Sequence, residues 1–350
     1  MSSWPFVSVV IPMRNEGKHI ERCLGSVFAQ DYPADRFEVI VVDGDSEDNS
    51  REVLARFGDR IRVLRNPSRI VPTALNIGIR AARGEIIARV DAHTTLAPDY
   101  LRRGVEALLR TGADNVGGPM RTAGGGPVAE AIARAMDSRF GIGAYFHFAQ
   151  ADRETDTVYM GMWPRKTFER VGLFDEELVR NQDDELNYRI RRSGGRVYLS
   201  VAMRSLYQNR ETYRALARQF FEYGKWKVRV LQKHPRQMSW RHFVPPLFVA
   251  TSTLTAIGSL FWPVCGYVSA AALGSYALAV ALAATAVAKK HGLGLWPRVA
   301  WAFVVMHWSW GSGFLWGLVR FGHRWLQPEE QPPRLDPSTE AAPRSAAATS

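Results

Sequence analysis

Two apolar runs of strand length each end on a carboxylate: VIVVD at 39–43, continuing into GDSED, and IIARVD at 86–91, continuing into AHT. In a parallel α/β sheet, a run of that kind delivers its acid to the carboxyl edge, where such sheets bind ligands. Two of them, closing on Asp43 and Asp91, point to a nucleotide pocket. The turn after the first strand reads Pro12, Met13, Arg14, Asn15, Glu16, Gly17, so it lacks the glycine fingerprint of dinucleotide binding, and no P-loop is present either. Acids repel phosphates and hold a diphosphate only through a divalent cation. A third acidic cluster, NQDDE at 181–185, precedes the helical run LNYRIRR and a Gly194, Gly195 stop.

The elements that must position these groups alternate in the N-terminal part. The pattern predicts strands at 6–11, 37–42, 61–64 and 85–90, with helices at 16–29, 47–57 and 72–83, the last opened by proline in its first turn. Helical connections of that length force the strands to run parallel with right-handed crossovers, so the fold class is α/β.

The rest of the 350 residues, of which 46% are hydrophobic, reads differently. Segments 243–262, 264–288 and 299–319 are almost free of charge. Each has roughly the 20 residues needed to cross a bilayer. Three such runs leave few polar faces for a soluble protein to solvate. The resulting domain expectation is a catalytic unit at 1–209, an interfacial helix at 210–241, a membrane region at 242–325 and a disordered tail at 326–350 rich in Pro, Ala, Ser and Glu. The start of the chain lacks the basic stretch and long apolar core of a secretory signal, which keeps the catalytic unit on the cytoplasmic side of a multi-pass cell-membrane protein. Cys23 and Cys265 make no disulfide framework.

The net charge of +11 suits a membrane surface rather than nucleic acid, because no zinc spacing, RNA-binding aromatic motif or basic zipper is present. Residues 210–233 set Tyr213, Leu216, Phe220, Gly224, Val228 and Leu231 at helical spacing, with Arg214, Arg218, Lys225, Arg229 and Lys233 around the other side. Such a helix lies in the headgroups of an anionic leaflet. The first two apolar runs form a hairpin returning to Lys289 and Lys290. The third poses a conflict: a full crossing puts Arg320, His323 and Arg324 outside, whereas Gly311, Ser312 and Gly313 would bend it into a re-entrant element.

In order along the chain, VSVVIPMRNE, VVDGDSEDNS, VDAHT and NQDDEL resemble the landmarks of the family 2 glycosyltransferases, which have the GT-A fold, over about 6–235. The later RRSGG, RQFFEYGKWK and HWSWGSGF are similar to the membrane-bound glucosyltransferases of succinoglycan-type exopolysaccharide assembly. The resemblance implies transfer of a sugar from a nucleotide donor, with inversion, onto a polyprenyl-diphosphate-linked acceptor. The QxxRW signature of processive synthases is absent, which favours addition of one or few sugars.

Under that resemblance each site takes a role. Asp43 accepts a hydrogen bond from the uracil of a UDP-sugar, with Asp45 as a second ligand or a turn residue. Pro12, Asn15 and Glu16 shape the wall around base and ribose. Asp91 and His93 hold the cation, Mg²⁺ or Mn²⁺. The family usually has Asp, any residue, Asp here, and the imidazole of His93 leaves the metal choice open. Inversion needs a base for the acceptor hydroxyl, and Asp183 takes that role by register, with Asp184 as the alternative because Gln182 replaces the family's preceding Glu. Trp163 and Arg165 are candidates for sugar stacking and phosphate binding, against a buried aromatic and an exposed Arg. Arg218, Gln219, Tyr223, Lys225 and Trp226 are candidates for meeting the donor or lipid diphosphate. Two other readings remain: a polyprenyl-phosphate monosaccharide synthase, and a catalytically silent membrane scaffold.

Overall fold

The computed structural model describes residues 4–123, 125–142, 145–326 and 331–335. In chain order the elements are β1 (Val7–Met13), α1 (Ile20–Phe28), β2 (Phe37–Asp43), α2 (Ser50–Ala55), β3 (Arg62–Arg65), α3 (Val71–Ala81), β4 (Ile86–Arg89), β5 (Thr94–Leu96), α4 (Tyr100–Thr111), β6 (Asn115–Gly118), β7 (Met120–Ala123), α5 (Pro127–Met136), β8 (Arg153–Glu154), β9 (Tyr159–Pro164), α6 (Arg165–Val171), α7 (Gln182–Arg192), β10 (Val197–Leu199), β11 (Ser205–Gln208), α8 (Tyr213–Lys233), α9 (Val244–Gly258), α10 (Pro263–His291) and α11 (Trp296–Arg320). They form two compact units, the first within 1–120, 149–206 and 331–335, the second within 121–148 and 207–330.

The first unit is built on an eight-stranded sheet of order β3-β2-β1-β4-β9-β6-β10-β8. The β1/β2, β1/β4, β2/β3 and β6/β10 pairs are parallel, whereas β9 runs antiparallel to both its neighbours. The central runs are buried along their whole length, from Val7 through Ile11 in β1 and Val39 through Val42 in β2. Strands of a parallel sheet covered by helices read as continuous apolar runs for this reason. α3 packs against β1 and β2, and α4 against β6 and β9. Its register is what positions the site: Val10 pairs with Arg89 and Met13 with Asp43, so the segments following β1, β2 and β4 emerge at one edge.

Near that edge β9 is irregular. Its pairing with β6 shifts between Val116 and Gly118, and Met160 (φ 58) and Gly161 (φ 131) take left-handed backbone conformations. A Cβ at Gly161 would strike the Trp163 ring. Bulges of this kind re-aim side chains beside active sites.

In the second unit, α8 buries Leu216, Phe220, Gly224 and Val228 as its periodicity requires, but Lys227, Arg229 and Lys233 are buried with them. The basic side is thus only partly solvated: Arg214 and Arg218 stand exposed, whereas Arg229 and Lys233 are covered. It packs along α11, where a Cβ on Gly224 or Gly313 would meet the backbone of Trp310 or Phe221, so glycine permits close approach of the two helices. α11 is continuous from Trp296 to Arg320, and Gly311, Ser312 and Gly313 do not interrupt it. His307 on α11 is engaged at both nitrogens, Nε2 donating to Phe140 O over 2.9 Å and Nδ1 sharing a 3.2 Å hydrogen bond with the Tyr276 hydroxyl.

The three expected membrane crossings are altered. Among the described residues one helix, α10, is long and apolar enough to cross a bilayer, and it is largely exposed. α9 has 15 residues, about 22 Å at 1.5 Å per residue against a hydrocarbon core of about 30 Å. Leu247, Leu254, Ile257, Leu260, Phe261 and Trp262 nevertheless stand exposed on and after it. The expected tail at 326–350 falls mostly outside the described residues; within it, Pro333 O accepts from Leu173 N over 2.8 Å in the first unit.

Candidate active site

Arg89 is the last residue of β4, in the middle of an apolar run, and its side chain is buried. An arginine is buried only when paired. Its Nε donates to Asp91 Oδ1 over 2.7 Å, and its Nη1 lies 3.8 Å from Asp183 Oδ2 at the start of α7. One guanidinium thus joins the acid just after β4 to an acid in the first turn of α7, bringing two of the three acidic clusters seen in the sequence into one site.

Burial by itself would raise Asp91, yet the Arg89 charge beside it, with His93 and hydrogen bonds from Arg89 and Tyr159, holds it below the usual carboxylate range. Asp183 goes the other way. Desolvation pushes its carboxyl up, Arg89 opposes this, and Asp184 and Asp91 add to the rise. Its side chain still keeps 36% of its surface exposed, enough to be reached from solvent. One carboxyl lowered and its neighbour raised is the pattern of separate ligand and proton-transfer roles.

The neighbouring acids differ. Asp184 donates its backbone N–H to Asp183 Oδ1 over 2.9 Å. Glu185 is fully buried and forms a two-pronged pair with Arg189 (2.6 and 2.9 Å), which also donates to the Leu173 carbonyl. The third acid of the cluster therefore anchors α7. Asn181, in the left-handed region at φ 64, turns the chain into the helix.

His93 Nδ1 lies 3.0 Å from Glu16 Oε1. Asp91, His93 and Glu16 are thus gathered at the carboxyl edge, although no group of three or more His, Cys, Asp or Glu able to hold a metal is found among the described residues. Asp91 and His93 supply one oxygen and one nitrogen donor. Such a pair fits a cation shared with a diphosphate, since hard divalent ions are held by one or two side chains plus phosphate oxygens.

Asp43 ends β2, as the sequence implies, with both carboxylate oxygens engaged: Oδ1 accepts from Ser46 N (3.1 Å) and Ser46 Oγ (2.5 Å), Oδ2 from Arg51 Nε (2.9 Å). Asp45, at φ 54, is held by Arg65 through two hydrogen bonds of 2.7 and 3.1 Å and by Arg51 at 3.3 Å. It is a turn and ion-pair residue in this geometry. Asn15 staples the same loops, its N–H donating to Ser46 Oγ (2.9 Å) and its Oδ1 accepting from Glu47 N (2.8 Å). Pro12 is buried in β1.

Two acceptor-side expectations are corrected. Trp163 is 1% exposed and packs among Phe168 and Phe174, so it is core and cannot stack on a sugar. Arg165 Nη1 donates to Ala82 O over 2.7 Å, satisfying a carbonyl at the end of α3 instead of a phosphate. Arg218, Gln219, Tyr223, Lys225 and Trp226 lie on α8 in the second unit. There Gln219 Nε2 donates to the Tyr223 hydroxyl (2.9 Å), Lys225 Nζ to Glu222 Oε1 (2.7 Å), and Trp226 Nε1 to Glu222 Oε2 (3.2 Å).

Two site residues escaped the sequence reading. Arg89 left a signal, a charge inside a buried strand. Tyr159 left none: its hydroxyl shares a 2.6 Å hydrogen bond with Thr94 Oγ1 and contacts Asp91 only because β9 returns antiparallel beside β4.

Comparison with known proteins agrees with this arrangement. A family model described as glycosyl transferase family 2 matches residues 8–173. The succinoglycan biosynthesis protein ExoA of Rhizobium meliloti is 32% identical over 324 residues, covering 90% of this chain and 96% of that protein. A Methanococcus voltae dolichyl N-acetyl-alpha-D-glucosaminyl phosphate 3-beta-D-2,3-diacetamido-2,3-dideoxy-beta-D-glucuronosyltransferase is 28% identical over 67% of this chain and 77% of its own length. Among solved structures, a Pyrobaculum calidifontis mannosyltransferase in complex with GDP-Man and Mn²⁺ superposes with a TM-score of 0.58 at 23% identity, covering 91% of this chain and 88% of that one. That likeness shows the GT-A fold.

Proposed function

The chain belongs to the family 2 glycosyltransferases, and from that premise we propose that it moves a sugar from a nucleotide-diphospho-sugar, a UDP-sugar, with inversion onto a polyprenyl-linked glycan in exopolysaccharide or cell-surface polysaccharide assembly. The observation that carries this reading is the placement of Asp91 and Asp183 on either side of the Arg89 guanidinium. The likeness to a succinoglycan biosynthesis protein over nearly its whole length supports the polymer class, and the name of the dolichyl-phosphate relative supports a lipid-linked acceptor.

In the proposed reaction Asp183 accepts the proton of the acceptor hydroxyl as that oxygen bonds to the anomeric carbon. The bond from that carbon to the diphosphate breaks on the opposite face, and the nucleoside diphosphate leaves. Asp183 suits the base role because a carboxyl raised above the ordinary range is a stronger proton acceptor. Asp91 and His93 are the residues that would hold a divalent cation, which when bound neutralises charge on the leaving diphosphate. Arg89 keeps Asp91 ionised for that task and offsets its repulsion of Asp183. Asp43 faces the base from the end of β2, and Arg51 holds its carboxylate oriented.

The second unit seats the enzyme at the cytoplasmic membrane in this reading. α10 is its span, and the exposed apolar residues of α9 and the α9–α10 turn, including Phe261 and Trp262, lie in lipid. Lys289, Lys290 and His291 close α10 on the positive, cytoplasmic side.

The test is a panel of labelled nucleotide sugars supplied to membranes carrying the protein, with Mn²⁺ and with Mg²⁺. Label passing into the organic-extractable lipid fraction is expected with one or few donors. Transfer to bare polyprenyl phosphate in place of a lipid-diphosphate glycan would assign the monosaccharide synthase activity instead. No metal-dependent transfer from any donor would leave a scaffold.

A further inference from the structure

Glu16 follows β1 and His93 follows β4, and the parallel β1/β4 pairing brings the two segments side by side at the carboxyl edge. Glu16 Oε1 lies 3.0 Å from His93 Nδ1, both side chains being about four-fifths covered. The backbone of Glu16 is fixed: its N–H donates to Ser50 Oγ over 2.9 Å, and its carbonyl accepts from His19 N (2.8 Å) and Ile20 N (2.9 Å). The segment that carries Glu16 is therefore anchored beside the imidazole.

A carboxylate only accepts hydrogen bonds, so the shared proton sits on Nδ1, and in the neutral ring the lone pair is then on Nε2. This is the tautomer a metal-ligating imidazole needs when Nε2 is the donor atom. A carboxylate behind the ring also raises ligand basicity and fixes ring orientation, and loss of such partners costs about 10–100-fold in metal affinity.

We infer that Glu16 is a positioning residue for the cation, orienting His93 to coordinate through Nε2 and returning to the site, one atom layer out, the negative charge that a histidine ligand lacks. The inference rests on the reading of Asp91 and His93 as the cation ligands. It moves Glu16 from a wall of the base and ribose pocket to the metal, and it fits a borderline cation such as Mn²⁺ better than Mg²⁺.

The test is Mn²⁺ binding to the purified full-length protein, followed by electron paramagnetic resonance in the presence of UDP and, separately, of GDP. Glu16→Ala is expected to weaken Mn²⁺ by about 10–100-fold. Glu16→Gln, which keeps an acceptor oxygen without the charge, is expected to fall between. In a His93→Asp background, where no imidazole needs orienting, Glu16→Ala is expected to have no weakening effect. Equal weakening in both backgrounds, or none in the otherwise native protein, would overturn the role of Glu16. Unchanged Mn²⁺ affinity in His93→Ala, or no Mn²⁺ binding with either nucleotide, would overturn the cation reading as well, so the two failures are distinguishable.

Discussion

Arg89 donates its Nε–H to Asp91 Oδ1 across 2.7 Å, from a position two residues earlier on the same buried strand end. Among the described residues its Nη1 has no hydrogen-bond partner, and it lies 3.8 Å from Asp183 Oδ2. The guanidinium fork matters because a lysine carries one point charge and cannot address two carboxylates in fixed directions. Arg89→Lys is expected to keep the fold and lose kcat with little change in nucleotide affinity. Arg89→Ala leaves the largely covered Asp91 without its counter-charge, next to a part-exposed Asp183, and is expected to lose about 3–5 kcal/mol of stability at most. Thermal melts with nucleotide titrations separate the two outcomes, and a fully active Arg89→Lys would remove the bridging role.

Asp183 binds its proton more tightly in the folded protein than in the unfolded chain, because its carboxyl is raised. Protonation therefore stabilises the fold below that raised value, and the contribution disappears as pH rises through it. Catalysis needs the deprotonated form, so turnover should fall as pH drops through the same point, above the usual aspartate range. Arg89 opposes the rise while Asp184 and Asp91 promote it. Arg89→Gln should accordingly shift the acid limb of kcat to higher pH; a limb that stays put would show that another group sets it.

Trp163 fills the core with Phe168 and Phe174, and its removal should be felt as instability. Trp163→Ala is expected to cost about 3–5 kcal/mol, and Trp163→Phe much less. Acceptor KM in the folded Trp163→Phe protein should match the native value. A selective rise in acceptor KM without a drop in melting temperature would restore the sugar-stacking role.

The strand-ending acids were legible in the sequence because an apolar run stopping at a carboxylate is a local signal, and α3 was legible from proline in its first turn. What the sequence withheld was long-range. Trp163 looks the same in the sequence whether it stacks on a sugar or fills a core, and only β9 returning antiparallel beside β4 decides it. The role of Arg89 depends on α7 approaching β4 across a chain separation of almost a hundred residues. On α8, helical spacing identified the apolar face but missed that Lys227, Arg229 and Lys233 are buried too, because periodicity does not reveal how much of a helix its neighbours cover.

Close packing of α8 on α11 predicts that bulk at the glycines is destructive. At Gly313 an added Cβ meets the backbone of Phe221, which cannot move aside as a side chain would. Gly313→Leu is expected to lower the melting temperature in detergent and to reduce the amount of protein recovered in membranes. Gly274, which has open space around its Cβ position, is the matched control for which Gly274→Leu should be near neutral. Equal tolerance at both positions would contradict the packing.

The most direct measurement is sugar transfer by Asp183→Asn beside the native protein, in membranes containing equal amounts of each, with nucleotide affinity measured on the same preparations. Asparagine keeps the size of the side chain and removes its ability to take a proton. Unchanged nucleotide affinity and a loss of transfer of about 10²–10⁴-fold are expected, with Asp184→Asn retaining most activity. Near-native transfer by Asp183→Asn, or a comparable collapse confined to Asp184→Asn, would contradict it.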